Sequence, residues 1–202
     1  MPRARGQIDT RKSEAIISAA FAVLAERGLS VPLEEVARRA NVSKQTVYNH
    51  YGSKGQLIKT LIERRQAELT APLVETGARL DPLKTLTRYG QAMIHSVLTE
   101  PYGELMRLAV SGALDVPELA DIIYESGIIA ARSALARYLD TLVADGRLKI
   151  QDTQLAAEMF AGLALGGLQL RALMGRKVDS DLAIEQSRAE TCAAAFLKAF
   201  AA

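Results

Sequence analysis

Tryptophan is missing from this chain, cysteine occurs once (Cys192) and histidine twice (His50 and His95), in 202 residues. One cysteine excludes an intrachain disulfide framework and fits a reducing compartment. Two scattered histidines and a lone thiol leave little material for a metal centre or a nucleophile–base pair. No H-E-x-x-H, C-x-x-C, P-loop or G-x-S-x-G is present. The sequence therefore predicts a protein that is not an enzyme and holds no cofactor and no metal. Long apolar runs are missing too. The longest weakly charged stretch, Met159 to Leu170, is flanked by Glu158 and Arg171. It falls short of the roughly 20 residues a bilayer span needs. The first fifteen residues carry Arg3, Arg5, Arg11 and Lys12 without an apolar segment behind them, unlike a secretory signal. The expected location is the cytoplasm.

What is plentiful is helix-forming apolar residues. The hydrophobic share is 49%, the aromatic share 5%, and alanine and leucine dominate. The 14 glycines and 6 prolines fall mostly between periodic stretches. This composition predicts an all-α protein. Net charge is only +2, yet its distribution is uneven. Through Arg65 there are 12 Lys/Arg against 6 Asp/Glu, and the remainder holds 13 against 17. A basic first third suits a polyanionic partner.

Apolar spacing and punctuation place the helices. A first runs from Arg11 to Arg27, capped by Asp9 or Thr10 and ended by Gly28, with Ile16, Ala20, Val23 and Leu24 on one stripe. Two short helices follow, Leu33 to Ala40 and Lys44 to Tyr51, separated by Asn41 and Val42, with Ser43 as cap of the second. Gly52 ends it. Ser53 opens a fourth helix to about Leu69 with an S-x-x-Q capping box. Longer helices are predicted from Pro82 to Thr99, Pro101 to Gly112, Asp115 to Asp145 with a kink at Gly127, Asp152 to Met174, and Asp179 or Ser180 to Phe200. On this reading the glycine-rich GLALGG (162–167) lies within a helix.

The Lys44–Tyr51 segment has two distinct faces. Val47 and Tyr51 are four apart and should dock on Leu33, Val36, Ala37 and Ala40. Lys44, Gln45, Tyr48 and Asn49 share the opposite face, with Thr46 and His50 at its edges. Hydrogen-bonding side chains on a short docked helix suit a major groove, which offers a distinct donor and acceptor pattern for each base pair. An ordinary polar helix in a bundle would show the same periodicity.

The stretch ANVSKQTVYNHYGSKGQLI resembles the helix-turn-helix of the tetracycline-repressor (TetR) family of bacterial regulators. Ala40, Val42, Ser43, Thr46, Val47, Tyr48, His50, Ser53, Lys54 and Leu57 match its pattern, and the likeness extends loosely over residues 9–69. Departures are Asn41 at the turn, Tyr51 for Phe, Gly55 for an acidic residue, Gln45 where Gly or Pro is common, and Pro32 where a capping Ser or Thr is usual, leaving Ser30 as a candidate cap. The resemblance implies a three-helix DNA-binding domain at 9–69 (helix-turn-helix about 33–52), joined through helix 4 to a helical effector-binding and dimerisation domain at 70–202. It implies phosphate contacts from Ser43, Thr46, His50 and Lys54, and groove contacts from Lys44, Gln45, Tyr48 and Asn49. Arg3, Arg5 and Arg11 form either an arm on the duplex or a solvated tail.

It further implies a homodimeric repressor released from a palindromic operator by a small apolar ligand. A regulator without an effector is the alternative. The expected dimer surface is the last two helices, about 153–174 and 180–200. Leu155, Met159, Leu163, Gly166 or Gly167 and Leu170 line one, and Leu182, Ala189, Ala193, Phe196 and Phe200 the other. Candidate ligand contacts are Tyr89, Met93, His95, Met106, Leu108, Tyr124 and Met174. Scattered acidic charge in this half points to a neutral or cationic ligand.

Overall fold

The computed structural model describes residues 10–28, 30–99, 102–178 and 181–202. Arg3, Arg5, Asp9, Pro101, Asp179 and Ser180 lie outside them. Eleven α-helices make up the fold of the described residues, together with one π-helical segment. Among the described residues the β pairing is an isolated antiparallel bridge between Leu148 and Ala201.

Helix α1 (Thr10–Arg27) buries Ile16, Ala20, Val23 and Leu24, the stripe expected from its spacing. Helices α2 (Leu33–Arg39) and α3 (Lys44–Tyr51) pack beneath it. The turn between them works because Asn41 takes a left-handed conformation (φ 53°), which its short polar side chain tolerates better than most. Ser43 Oγ accepts from the Thr46 amide at 3.0 Å and so caps α3. Pro32, not Ser30, occupies the N-cap of α2, and no side chain caps that end. The fixed φ of proline sets the chain direction there instead.

Helix α4 (Lys54–Val74) starts at the Ser53 cap and runs five residues past the predicted end. Leu69 and Leu73 find partners in the C-terminal core, and burial outweighs the weak signal at its end. Pro72 sits in the last turn, where a missing amide costs one hydrogen bond. Helix α4 thus serves two cores. Leu57, Ile58, Leu61 and Ile62 belong to that of α1–α3, and Leu73 to the other.

Helix α5 (Pro82–Leu98), capped by Asp81, crosses closely over α11 (Leu182–Ala199). Gly90 makes the approach possible: a Cβ there would lie 3.4 Å from Ala189 Cβ and from the Phe160 ring. Helices α6 (Tyr102–Ser111) and α7 (Pro117–Ile123) turn back toward the N-terminal unit. Leu105, Ala109, Leu119 and Ile123 join its core. A Cβ on Gly55, in the first turn of α4, would lie 3.2 Å from Ile122 Cδ1. That close approach explains a glycine at a helical position where it costs about 1 kcal/mol in propensity.

After α7 the predicted kink takes a definite form. Residues Tyr124–Ile129 make a π-helical segment around buried Gly127, and α8 (Ala130–Ala144) continues from it. Such segments widen the helix locally and re-aim side chains. The next predicted helix is divided. Helix α9 (Thr153–Leu165) ends at Gly166 (φ 48°, ψ −131°), and α10 (Gly167–Leu173) starts anew. GLALGG is therefore a break, not a helix interior: Gly166 has a backbone conformation open to glycine, and a Cβ would sit 2.9 Å from Arg188 Nη2. Asp181 caps α11 through the Ala183 and Ile184 amides.

Candidate nucleic-acid interface and internal cavity

Two faces of α3 separate cleanly. Val47 and Tyr51 are buried, and the Tyr51 hydroxyl shares a 3.2 Å hydrogen bond with Ser13 on α1. That bond accommodates the extra oxygen relative to Phe. Ser43, Lys44, Gln45, Tyr48, Asn49 and His50 are exposed, and Thr46 and Lys54 are half-buried. Seven of the eight candidate contact residues lie on α3 or at its cap, and Lys54 opens α4.

The polar groups on this surface are mutually braced. Ser43 and Thr46 share a 2.8 Å hydroxyl contact, and Gln45 donates to Asn49 at 2.5 Å. The Lys44 ammonium stands 5.4 Å from the centre of the Tyr48 ring and pairs with Glu34. The hydrogen bond from Lys44 holds the Glu34 carboxyl below its usual range. Lys54 sits in the first turn of a 21-residue helix, where partial burial lowers its ammonium below the ordinary lysine value. A cation among aligned backbone N–H groups is an unfavourable arrangement that an incoming anion relieves.

Several cations of the basic first third are ion-paired. Arg27 and Arg38 pair with Glu35, and Arg39 pairs with Glu26. These exposed bridges contribute little stability, and they leave the net positive charge of the region unchanged. Glu34→Gln releases Lys44 and removes a negative group from this face. It is expected to tighten binding to duplex DNA about two- to fivefold at low salt, read by fluorescence anisotropy. Weaker binding would show that Glu34 positions Lys44 rather than competing for it.

The second feature is a cavity of ≈ 280 Å³ between α5, the π segment, α8 and α9. Of the seven ligand candidates, Tyr89, Met93, Met106 and Tyr124 line it. The other three lie elsewhere. His95 Nδ1 is 3.0 Å from the buried Glu185 carboxylate of α11. Leu108 packs on the N-terminal core, and Met174 is exposed on the turn after α10. Met and Tyr share helix periodicity with ordinary core, so spacing could not sort them. The reading from sequence missed Arg132, which lines the cavity. A signal was present: Arg132 falls on the stripe of Ile128, Ala131 and Leu135, an apolar face where a guanidinium is out of place.

The outer face of α9 is the third feature. Leu155 (54%), Met159 (52%), Leu163 (43%) and Leu170 on α10 (62%) are exposed. On α11 the expected stripe is corrected. Ala189, Ala193 and Phe196 are buried in the protein's own core against α5 and α9, so they form no outer surface. The helix is apolar on that side because it closes the monomer. The face it leaves open carries Ile184, Ser187, Thr191 and Ala195. Among the described residues no group of His, Cys, Asp and Glu could hold a metal, and no helix is long and apolar enough to cross a membrane.

Comparison with known proteins agrees over most of the chain. Residues 16–61 match the family described as bacterial regulatory proteins, tetR family, and residues 84–202 match the AefR-like transcriptional repressor C-terminal domain. The chain is 30% identical over 145 residues to the HTH-type transcriptional repressor Rv3405c of Mycobacterium tuberculosis, covering 69% of this chain and 72% of that protein. It is 25% identical to a TetR-family transcriptional regulator from Mesorhizobium loti, with TM-score 0.77 over 96% of this chain and 98% of the other. It is 28% identical to the flavonoid-responsive regulator FrrA, with TM-score 0.72 and the same coverage.

Proposed function

The chain belongs to the TetR family of bacterial transcriptional regulators, and from that premise we propose that it works as a homodimeric repressor whose grip on a palindromic operator is released by a small molecule. The observation that carries this reading is the α3 surface. It places hydrogen-bonding side chains outward on a helix locked by Val47 and Tyr51, as groove recognition requires. Residues 9–69 form the DNA-binding unit and 70–202 the effector and dimerisation unit.

Lys44, Gln45, Tyr48 and Asn49 face base edges, and Ser43, Thr46, His50 and Lys54 face phosphates. The Gln45–Asn49 pair favours a joint role, since bracing two amides reduces the freedom lost on binding. The dimer forms through the exposed leucines and Met159 of α9, with the open face of α11 beside them. A contiguous apolar stripe of this kind is rare on a monomer without a partner. Two reading heads then address half-sites one helical turn apart. The cavity takes the effector. It adjoins the π segment that follows α7, and α7 packs on the first turn of α4, so a change of shape there reaches the reading head through contacts already made.

In vitro selection of duplexes by the purified protein tests the whole reading. The expected product is a palindrome with a half-site spacing near 10 base pairs. A selected sequence without twofold symmetry would overturn the dimeric repressor. Lys54→Ala should weaken binding to all duplexes alike and reduce the salt slope by about 1. An unchanged slope would remove Lys54 from the phosphate contacts.

A further inference from the structure

The charged groups that line the cavity are Arg132 and Glu158. A guanidinium carries five N–H donors. Arg132 makes one hydrogen bond, from Nη1 to Glu158 Oε2 at 3.2 Å, and its Nε is buried without a partner. Nε is closed off from the cavity, so an acceptor entering it would meet the terminal nitrogens of the guanidinium, where Glu158 alone is bound. Tyr89 stands beside it. Its hydroxyl donates a long 3.3 Å bond to the Ala131 carbonyl, and burial pushes its phenol above the ordinary tyrosine value, with the Arg132 charge opposing. The rest of the lining is mostly apolar, with Met93, Met106, Ile128 and Leu165 prominent and Ser96, Tyr124 and Gln169 as its polar members.

We propose that this cavity binds a small apolar acid, with Arg132 taking the anionic oxygens and Tyr89 beside them. The proposal rests on the reading of the cavity as the effector site, and it replaces the neutral or cationic ligand expected from overall charge. Two features favour an anion over a cation. Glu158 has a side chain 59% exposed, so it can turn to water when an acid arrives, whereas the Arg132 side chain is 29% exposed. The guanidinium on the wall is a donor only, which suits a carboxylate and repels an ammonium. A cavity of ≈ 280 Å³ has the volume of about nine waters. That suits a one- or two-ring acid better than a long acyl chain.

The test is calorimetric titration of the full chain with 1-naphthoate, 1-naphthamide and 1-naphthylmethylammonium. Naphthoate is expected to bind at least about tenfold more tightly than the other two, the scale of one charge-assisted hydrogen bond. Arg132→Met should abolish that preference and Arg132→Lys should keep part of it, since the charge remains without the planar fork. Glu158→Gln should strengthen naphthoate binding. Equal binding of acid and amide, preference for the ammonium, a preference that survives in Arg132→Met, or no binding of any of the three would overturn the proposal. DNA binding by the same preparation separates the two readings. A palindrome binder without acid preference loses this site but remains a regulator. An acid binder without DNA affinity keeps the site and loses the regulator.

Discussion

Leu163→Glu should yield a folded monomer with at least about a hundredfold weaker operator binding, the scale expected when two linked contacts become one. In the single chain Leu163 is 43% exposed, so a carboxylate at its tip stays in water and the fold is left intact. Its backbone carbonyl still accepts from Cys192 Sγ. Across a twofold axis the same substitution acts twice, because an isologous interface presents each patch to its own copy. Two carboxylates would then be desolvated without partners, which an interface of leucine and methionine cannot repay. Sedimentation velocity and an electrophoretic mobility assay read the two effects. A variant that still sediments as a dimer and binds the operator normally would move the interface off α9.

Phe160→Ala should produce the largest loss of stability, about 3–5 kcal/mol. Phe160 is fully buried where α5, α9 and α11 meet. Its ring lies 6.0 Å from Tyr89 and 5.3 Å, edge-on, from Phe196, and it fills the space that Gly90 leaves on α5. Alanine would open a void among helices whose backbones are already close and cannot collapse further. For a chain of this size the loss corresponds to a drop of roughly 6–20 °C in Tm. Circular dichroism at fixed protomer concentration measures it, since the proposed dimerisation would make Tm depend on concentration. A shift below about 2 °C would show that the core repacks around the deletion.

The helix-turn-helix was legible because its signals are local. Ser43 and Ser53 cap the helices they precede, Asn41 turns the chain where a left-handed residue is needed, and Val47 and Tyr51 fall on one face of a two-turn helix. None of these depends on distant packing. The C-terminal half was harder for the opposite reason. Helix α11 is rich in alanine all round, so spacing alone did not tell Ala189 and Ala193, which are buried, from Ala194 and Ala195, which are exposed. The break at Gly166 was hidden because a glycine run inside a periodic stretch is compatible with continuation. Arg188 passes close to that break, its Nε donating to the Ala164 carbonyl at 2.7 Å. Arg132 reads as a surface cation until the neighbours on its stripe are considered.

Gly55 carries a final consequence. The first turn of α4 meets Ile122 backbone to side chain, and a Cβ there would stand 3.2 Å from Ile122 Cδ1. Gly55 puts no side chain of its own between the two helices. A displacement of α7 therefore presses on the backbone of α4 itself. Lys54 is the next residue along that turn, so such a displacement would reach the proposed DNA contact within one peptide unit.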